Sequence, residues 1–179
     1  MGSSLQLEET APLSDGADTA RTRTYSWDDP VELLSRTAGM SGIEALRLMA
    51  AGELPPPPIG QTLGFGPIEV EEGRVTFTME PAEFHYNPIG VVHGGLALAL
   101  LDSAMGCAVH TTLAAGVAYT TLEVKANFVR PLTSSTGLIR CTGTVVHGGR
   151  TVATAEGRIV DADGKLYAHG TSTLLIFGD

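Results

Sequence analysis

One stretch of this sequence, from Gly94 to about Thr112, constrains the fold more than any other. Its apolar residues recur at spacings of three and four, which predicts one long helix with a broad apolar face. They are Ala97, Leu98, Leu101, Ala104, Met105, Ala108 and Val109. The stretch is shorter than the roughly 20 residues that a bilayer needs, and Asp102 interrupts it. We therefore expect a helix inside a globular domain and no membrane span.

Strand patterns lie on both sides of this helix. Apolar and polar residues alternate from Val75 to Met79, and the alternation around Glu69 suggests a hairpin partner for that strand. Three or four long strands follow the helix, and they are expected at Tyr119–Arg130, Leu138–Val146, Thr151–Val160 and Leu166–Phe177. This order predicts an α+β fold in which one long central helix packs on an antiparallel sheet of five or six strands. Such a sheet leaves an edge and a face exposed, which dimerisation would cover.

The chain divides into three parts. Residues 1–40 predict an N-terminal tail that is partly disordered, because no hydrophobic period is present up to about Tyr25. Residues 41–59 predict a short helix with Ser41 as its N-cap and a proline-rich spacer, and residues 60–179 predict the main domain. The formal net charge of −9 has the wrong sign for binding a phosphate backbone, so we expect no nucleic-acid partner.

Two further features bear on location and on metal binding. The chain begins without the charged-then-apolar pattern of a signal peptide, so we expect it in the cytoplasm. Cys107 and Cys141 are too few for a disulfide framework or a four-thiolate metal site, and we expect both to be buried thiols. The sequence from Asp161 to Gly164 resembles the opening of a calcium loop, but Ser172 stands where that loop needs a bidentate Glu. We expect a hairpin turn there and no metal.

The segment 87–95 joins a strand to the N-terminus of the long helix. A helix N-terminus presents unpaired backbone N–H groups, and glycine there lets a substrate carbonyl come close to them. Gly94 and Gly95 are therefore candidates for an oxyanion hole. The alternative is that they only form a tight turn into the helix, much as the residues 147–149 (His-Gly-Gly) are expected to turn a hairpin.

Asp102 is the second candidate for a chemical role. A carboxylate in an apolar helix is costly to bury unless it is hydrogen-bonded or used, and a solvated or capped Asp is the alternative. Asp102 follows Gly94 by eight residues, which is about 12 Å along the helix axis at ~1.5 Å per residue. If the two groups act on one carbonyl, they must come from two copies of the helix. The site would then lie at a symmetric dimer interface.

These residues resemble those of the hotdog-fold acyl-CoA thioesterases, in particular the phenylacetic-acid-degradation (PaaI-type) branch. The resemblance covers about residues 60–179. It rests on Asn87, Gly90, His93-Gly94-Gly95, Asp102 and the strand from Thr120 to Pro131. It implies a hotdog fold, hydrolysis of acyl-CoA, no cofactor other than the coenzyme A carried by the substrate, and a homodimer that assembles into a homotetramer.

The resemblance also implies roles for individual residues. Asp102 would be the general base or the nucleophile, and the Gly94 N–H would polarise the thioester carbonyl. Asn87 and His93 would position that loop, the water or the substrate, and Gly95 would lie against the substrate.

Four further residues are candidates for substrate contacts. By the resemblance, the Thr121 hydroxyl would orient the water, and Thr120 would take its place if the strand register were shifted by one residue. Coenzyme A would bring phosphates to an acidic protein. Arg130 and Arg150 lie at predicted strand ends where they could receive those phosphates, although plain solvated charges are the alternative.

Other chemistries and roles are kept as alternatives. No serine lies in a Gly-x-Ser-x-Gly elbow, and a Cys107/His110 pair is a weaker choice than Asp102. A hydratase or dehydratase of acyl thioesters shares the fold but pairs a histidine with an acid, and a non-catalytic acyl-CoA-binding module is a third alternative. The short helix after Ser41 is expected either to cover the acyl pocket or to cover only a sheet edge.

Overall fold

The computed structural model describes residues 21–178. Its strands are β1 (Ile68–Glu71), β2 (Arg74–Met79), β3 (Ala118–Phe128), β4 (Ile139–Gly148), β5 (Val152–Val160) and β6 (Leu166–Phe177). Its helices are α1 (Pro30–Thr37), α2 (Gly42–Ala50), α3 (Pro58–Leu63) and α4 (Gly94–His110). The six strands form one antiparallel sheet in the order β1-β2-β4-β5-β6-β3, which confirms the predicted α+β fold with five or six strands.

The long helix α4 packs across this sheet and forms the centre of the core. It begins at Gly94 as predicted and ends at His110, two residues before the expected end. Its fully buried side chains are Leu100, Leu101, Ala104, Met105, Ala108 and Val109. Gly143 on β4 allows the close approach of the helix, because a Cβ at this position would overlap the carbonyl group of Ala104. No helix within residues 21–178 is long and apolar enough to cross a membrane.

The turn between β4 and β5 lies two residues later than predicted, because His147 and Gly148 still pair with β5 and the turn begins at Gly149. The Asp161 region lies between β5 and β6, as predicted. The carboxylate Oδ1 of Asp161 accepts hydrogen bonds from the N–H groups of Asp163 and Lys165 at 3.0 and 2.9 Å. The carboxylate therefore closes a hairpin turn, as expected at this position. The strand β3 is an edge of the sheet, with an irregularity at Leu122 between two regularly paired stretches.

The N-terminal part contains more structure than the sequence predicts. Residues 1–20 of the expected tail lie outside the described residues. The rest of the tail is ordered: it contains the helix α1, and Arg23 donates to the carbonyls of Gln61 and Thr62 at 2.6 Å each. The short helix expected after Ser41 is present as α2. Pro58, which was expected in the extended spacer, begins α3 instead. Proline fits this position because its missing N–H is not needed in the first turn of a helix.

A buried histidine connects α3 to the loop that precedes α4. His85 is 8% exposed, its Nδ1 accepts from the Ala82 N–H at 2.9 Å, and its Nε2 lies 2.9 Å from the Leu63 carbonyl oxygen. Burial lowers the pKa of His85, so the ring is neutral at pH 7 and Nε2 carries the proton that Leu63 accepts. The N-terminal part is thus tied to the loop that leads to the helix N-terminus.

Candidate active site

The carboxylate of Asp102 lines a cavity of about 820 Å³. The residue lies half-buried in the middle of α4, and the Thr121 hydroxyl on β3 donates to its Oδ1 at 2.9 Å. This is the one side-chain hydrogen bond to Asp102 within residues 21–178. Thr120 is exposed and does not contact Asp102, because successive residues of a strand point to opposite faces. The strand register therefore places Thr121, and not its neighbour, beside the acid.

The N-terminus of α4 offers one free backbone donor. His93 is the N-cap, and its Nδ1 accepts from the Gly95 N–H at 2.8 Å. The His93 N–H in turn donates to the His85 carbonyl at 2.8 Å. The Gly94 N–H has no acceptor within the described part of the chain. Of the two glycines expected at the oxyanion hole, Gly94 thus has an available donor, while that of Gly95 is already occupied.

Asn87 shapes the loop that leads to this helix. Its side-chain Oδ1 accepts from the N–H groups of Ile89 and Val91 at 3.1 and 3.4 Å. Gly90 has a φ of +79°, in the left-handed region that glycine adopts without strain, and its N–H donates to the Asn87 carbonyl at 3.1 Å. Asn87 therefore acts on the loop conformation, and through the loop on the start of α4.

The acid and the free helix donor do not meet within one chain. Asp102 lines the cavity of about 820 Å³, whereas Gly94 lines a separate cavity of about 290 Å³ together with Phe128 and Arg130. The two residues belong to the same regular helix, so the axial separation of about 12 Å expected from their spacing applies. Each chain carries both halves of the expected site, but it holds them apart.

The two expected phosphate-binding arginines are also far apart. Arg130 follows β3 and donates to the Leu166 carbonyl, whereas Arg150 precedes β5. The β6 residues that pair with these strand ends, Ala168 and Leu175, are separated by about 23 Å at ~3.3 Å per residue. One chain therefore cannot offer both arginines to a single phosphate group.

Cys107, which the sequence suggests only as part of a weaker Cys107/His110 pair, and Tyr119, which it does not single out, also line the Asp102 cavity. Burial and the nearby Asp102 charge raise the pKa of the Cys107 thiol to about 12, so it is protonated and is not a nucleophile. Burial also raises the pKa of Tyr119, whose ring contacts that of His110 at 5.5 Å between centroids. The period of two along β3, which puts Tyr119 and Thr121 on one face, is the signal that could have identified Tyr119.

The cysteine predictions have different outcomes. Cys141 is buried, as expected, and its thiol donates to the Leu100 carbonyl at 3.5 Å. Cys107 is only partly buried, because one side of it faces the cavity.

One long helix on a six-stranded antiparallel sheet, with an acid on the helix and glycines at its N-terminus, defines a hotdog-fold thioesterase. The model of the Thioesterase superfamily matches residues 89–168, from the loop before α4 to the start of β6. A phenylacetic acid degradation-related protein from Ralstonia eutropha JMP134 is 32% identical, with a TM-score of 0.65 over 73% of this chain and 98% of that one. The chain therefore belongs to the thioesterase superfamily, and it resembles the PaaI-type branch.

Two further relatives bear on the substrate. The 1,4-dihydroxy-2-naphthoyl-CoA hydrolase of Listeria monocytogenes is 25% identical over 116 residues, which are 65% of this chain and 93% of that protein. A Streptococcus mutans protein whose structure contains acetyl-CoA is 25% identical, with a TM-score of 0.57 over 63% of this chain and 88% of that one. Both names concern coenzyme A thioesters.

Proposed function

We propose that this enzyme hydrolyses acyl-CoA thioesters to a free acid and coenzyme A. The observation that carries the proposal is the Asp102 carboxylate, which Thr121 holds at the wall of a large cavity. The coenzyme A compounds named for the Listeria and Streptococcus relatives support the choice of thioester. The proposed reaction needs no cofactor, because coenzyme A enters as part of the substrate.

The chemistry requires a donor at the carbonyl oxygen and an oxygen nucleophile at the carbonyl carbon. The free Gly94 N–H, at the positive end of the α4 dipole, is suited to stabilise the developing oxyanion. Asp102 either takes a proton from the attacking water or attacks the carbonyl carbon itself. If Asp102 acts as the base, the proton that it takes from water passes to the coenzyme A thiolate as the C–S bond breaks. If Asp102 attacks, the thiolate leaves an acyl-aspartyl anhydride, and a water molecule then hydrolyses this anhydride, which frees the acid, restores Asp102 and supplies the proton for the thiolate. The Thr121 hydroxyl orients the carboxylate in each case.

We propose that two chains build each site. One protomer supplies Asp102 and Thr121, and its partner supplies the Gly94 N–H, because about 12 Å separates the acid from the donor along a single α4. The edge strand β3 carries Thr121 and exposes Leu122 and Phe128, which favours its pairing with a second copy. A homodimer that assembles into a homotetramer fits this arrangement.

The hydratase alternative is disfavoured by the state of His93. A dehydrating enzyme would need a free imidazole nitrogen as the base, but Nδ1 of His93 already accepts from the Gly95 N–H. Free thiol release from a panel of acyl-CoAs, measured beside hydration of an enoyl-CoA, tests the proposal. Thiol release without hydration is the expected result. Hydration without thiol release would favour the dehydratase, and neither reaction would favour a binding module.

Loss of the Thr121 hydroxyl should lower kcat about 10-fold or more, with a smaller effect on KM. A hydrogen bond to a charged group contributes about 1.5–3 kcal/mol, and here it fixes the acid that reacts. The measurement is steady-state thiol release by Thr121→Ala. Thr121→Ser should keep most of the activity, and Thr120→Ala is the matched control on the opposite face of β3. Equal losses in Thr120→Ala and Thr121→Ala would contradict the assignment.

A further inference from the structure

More than half of the residues that line the Asp102 cavity come from the chain between Asp28 and Gly60, outside the part that the family model matches. The rest of the wall combines the polar residues Asp102, Ser103 and Thr121 with aromatic and apolar ones, among which Phe65 and Phe77 pack edge to face at 5.8 Å between ring centroids. The larger side chains of the N-terminal wall include Leu46, Met49, Leu54, Pro55, Pro56 and Pro57. This segment therefore shapes the cavity next to the reacting acid.

The segment is held firmly in place. Its Gly42 N–H donates to the Leu113 carbonyl at 3.1 Å, and a Cβ at position 42 would overlap the backbone and ring of His110. The Leu46 and Leu54 side chains are 4% and 3% exposed. The N-terminal wall thus docks directly on the C-terminal end of α4 and has a fixed position relative to Asp102.

The charges around the cavity are of one sign. Its charged wall residues are Asp28 and Asp102, and no lysine or arginine lines it within the described residues. A carboxylate on the far end of an acyl group would enter an acidic, largely apolar cavity without a cationic partner, at a high desolvation cost. The cavity therefore favours a group that is both apolar and uncharged.

The cavity is also large. A volume of about 820 Å³ lies in the range of pockets that bind drug-sized ligands, roughly 300–1,000 Å³. An acetyl group would leave most of the apolar wall without contacts, whereas a longer hydrocarbon gains burial of about 0.8 kcal/mol per methylene group.

We infer that residues 42–60 form the acyl-binding wall of this enzyme and select medium-length, uncharged hydrocarbon acyl groups. The inference rests on the proposed thioester hydrolysis, and it assigns to the N-terminal segment the part of the site that distinguishes one acyl group from another. The acyl chain lies along Met49 and the proline run, with its thioester carbonyl at Asp102.

The kcat/KM of the wild-type enzyme should rise about 100-fold or more from acetyl-CoA to octanoyl-CoA. Suberyl-CoA, which has the same length but ends in a carboxylate, should fall about 100-fold below octanoyl-CoA. Met49→Trp fills the cavity and should lower the octanoyl-CoA value at least about 10-fold, with less than about a threefold change for butanoyl-CoA. Leu48→Trp is the matched control, because Leu48 is equally half-buried on α2 but does not line the cavity.

Binding of two thioether analogues, S-octyl-CoA and S-ethyl-CoA, separates this inference from the proposed reaction. Calorimetry should show tighter binding of the octyl compound, and Met49→Trp should remove that advantage. If this holds but no acyl-CoA releases thiol, the wall is supported and the proposed hydrolysis fails. If thiol is released with a preference for acetyl-CoA or suberyl-CoA, or if both tryptophan variants shift the profile equally, the inference is overturned. A Met49→Trp variant that changes only the size-exclusion profile would assign the wall to a subunit contact and overturn it as well.

Discussion

Replacement of Asp102 by asparagine should lower kcat for thiol release about 100-fold or more in a protein that still folds. General base catalysis contributes roughly 10²–10⁴ in rate, and an amide can neither accept the proton of water nor attack the thioester. The amide oxygen of asparagine can still accept the Thr121 hydrogen bond, so the local packing is retained. Steady-state kinetics on octanoyl-CoA, with circular dichroism to check folding, measure the effect.

Glu123→Gln is the matched control for the loss of one negative charge. Glu123 lies two residues after Thr121 on β3 but is exposed and does not line the cavity. Its kcat should stay within about twofold of the wild-type value, because exposed charges on a surface contribute little. A folded Asp102→Asn enzyme with undiminished turnover would contradict the mechanism in both of its forms.

Mixing two inactive variants, Asp102→Ala and Asn87→Ala, should restore about one quarter of the wild-type activity. Random exchange of subunits makes half of the dimers mixed, and each mixed dimer has one intact site of two if the site is shared between chains. The Asn87→Ala variant should be inactive on its own, because the Asn87 side chain holds the loop before Gly94. Thiol release after demonstrated subunit exchange is the measurement.

A mixture of Asp102→Ala with Thr121→Ala provides the control for this experiment. Both residues belong to the same half of the site, as their hydrogen bond within one chain requires. No mixed dimer of this pair contains an intact site, so the activity should equal the average of the two parents. No recovery with Asn87→Ala would place Asn87 and Asp102 in a site built by one chain, whereas recovery in this control would contradict the assignment of Asp102 and Thr121 to the same half-site.

The strands could be predicted because their side chains alternate between more and less buried environments, and the long helix could be predicted because its apolar residues recur at spacings of three and four. The helix α1 gives no such signal, since its large apolar residues Val31 and Leu34 are 70% and 71% exposed and no buried face sets a period. The N-cap of α1 could have been recognised from the sequence, because Asp is a preferred N-cap residue. In the structure the Asp29 carboxylate accepts from the Val31 N–H at 2.8 Å. At Pro58 the local sequence is misleading. A run of four prolines favours an extended chain, so the start of α3 at Pro58 could not be recognised from the sequence.

Only those features of the candidate site that depend on residues close together in the sequence could be predicted. The spacing of Gly94 and Asp102 on one helix followed directly from helix geometry. Whether Thr120 or Thr121 faces the acid depends on how β3 pairs with β6, and alternation alone does not reveal which of the two faces points inward. The N-terminal wall of the cavity depends on contacts between residues far apart in sequence, such as Gly42 with Leu113, and no local pattern encodes them.

The division of the cavity between two parts of the chain bears on how this enzyme can change. The acid and its hydroxyl partner belong to α4 and β3, whereas Met49 and the prolines that face them belong to a segment that supplies no reacting group. Mutations in residues 42–60 can therefore alter substrate range while the chemistry is left untouched. The same arrangement offers protein engineers a short target for directed evolution, in which Gly42 should be kept because its close contact with α4 anchors the segment.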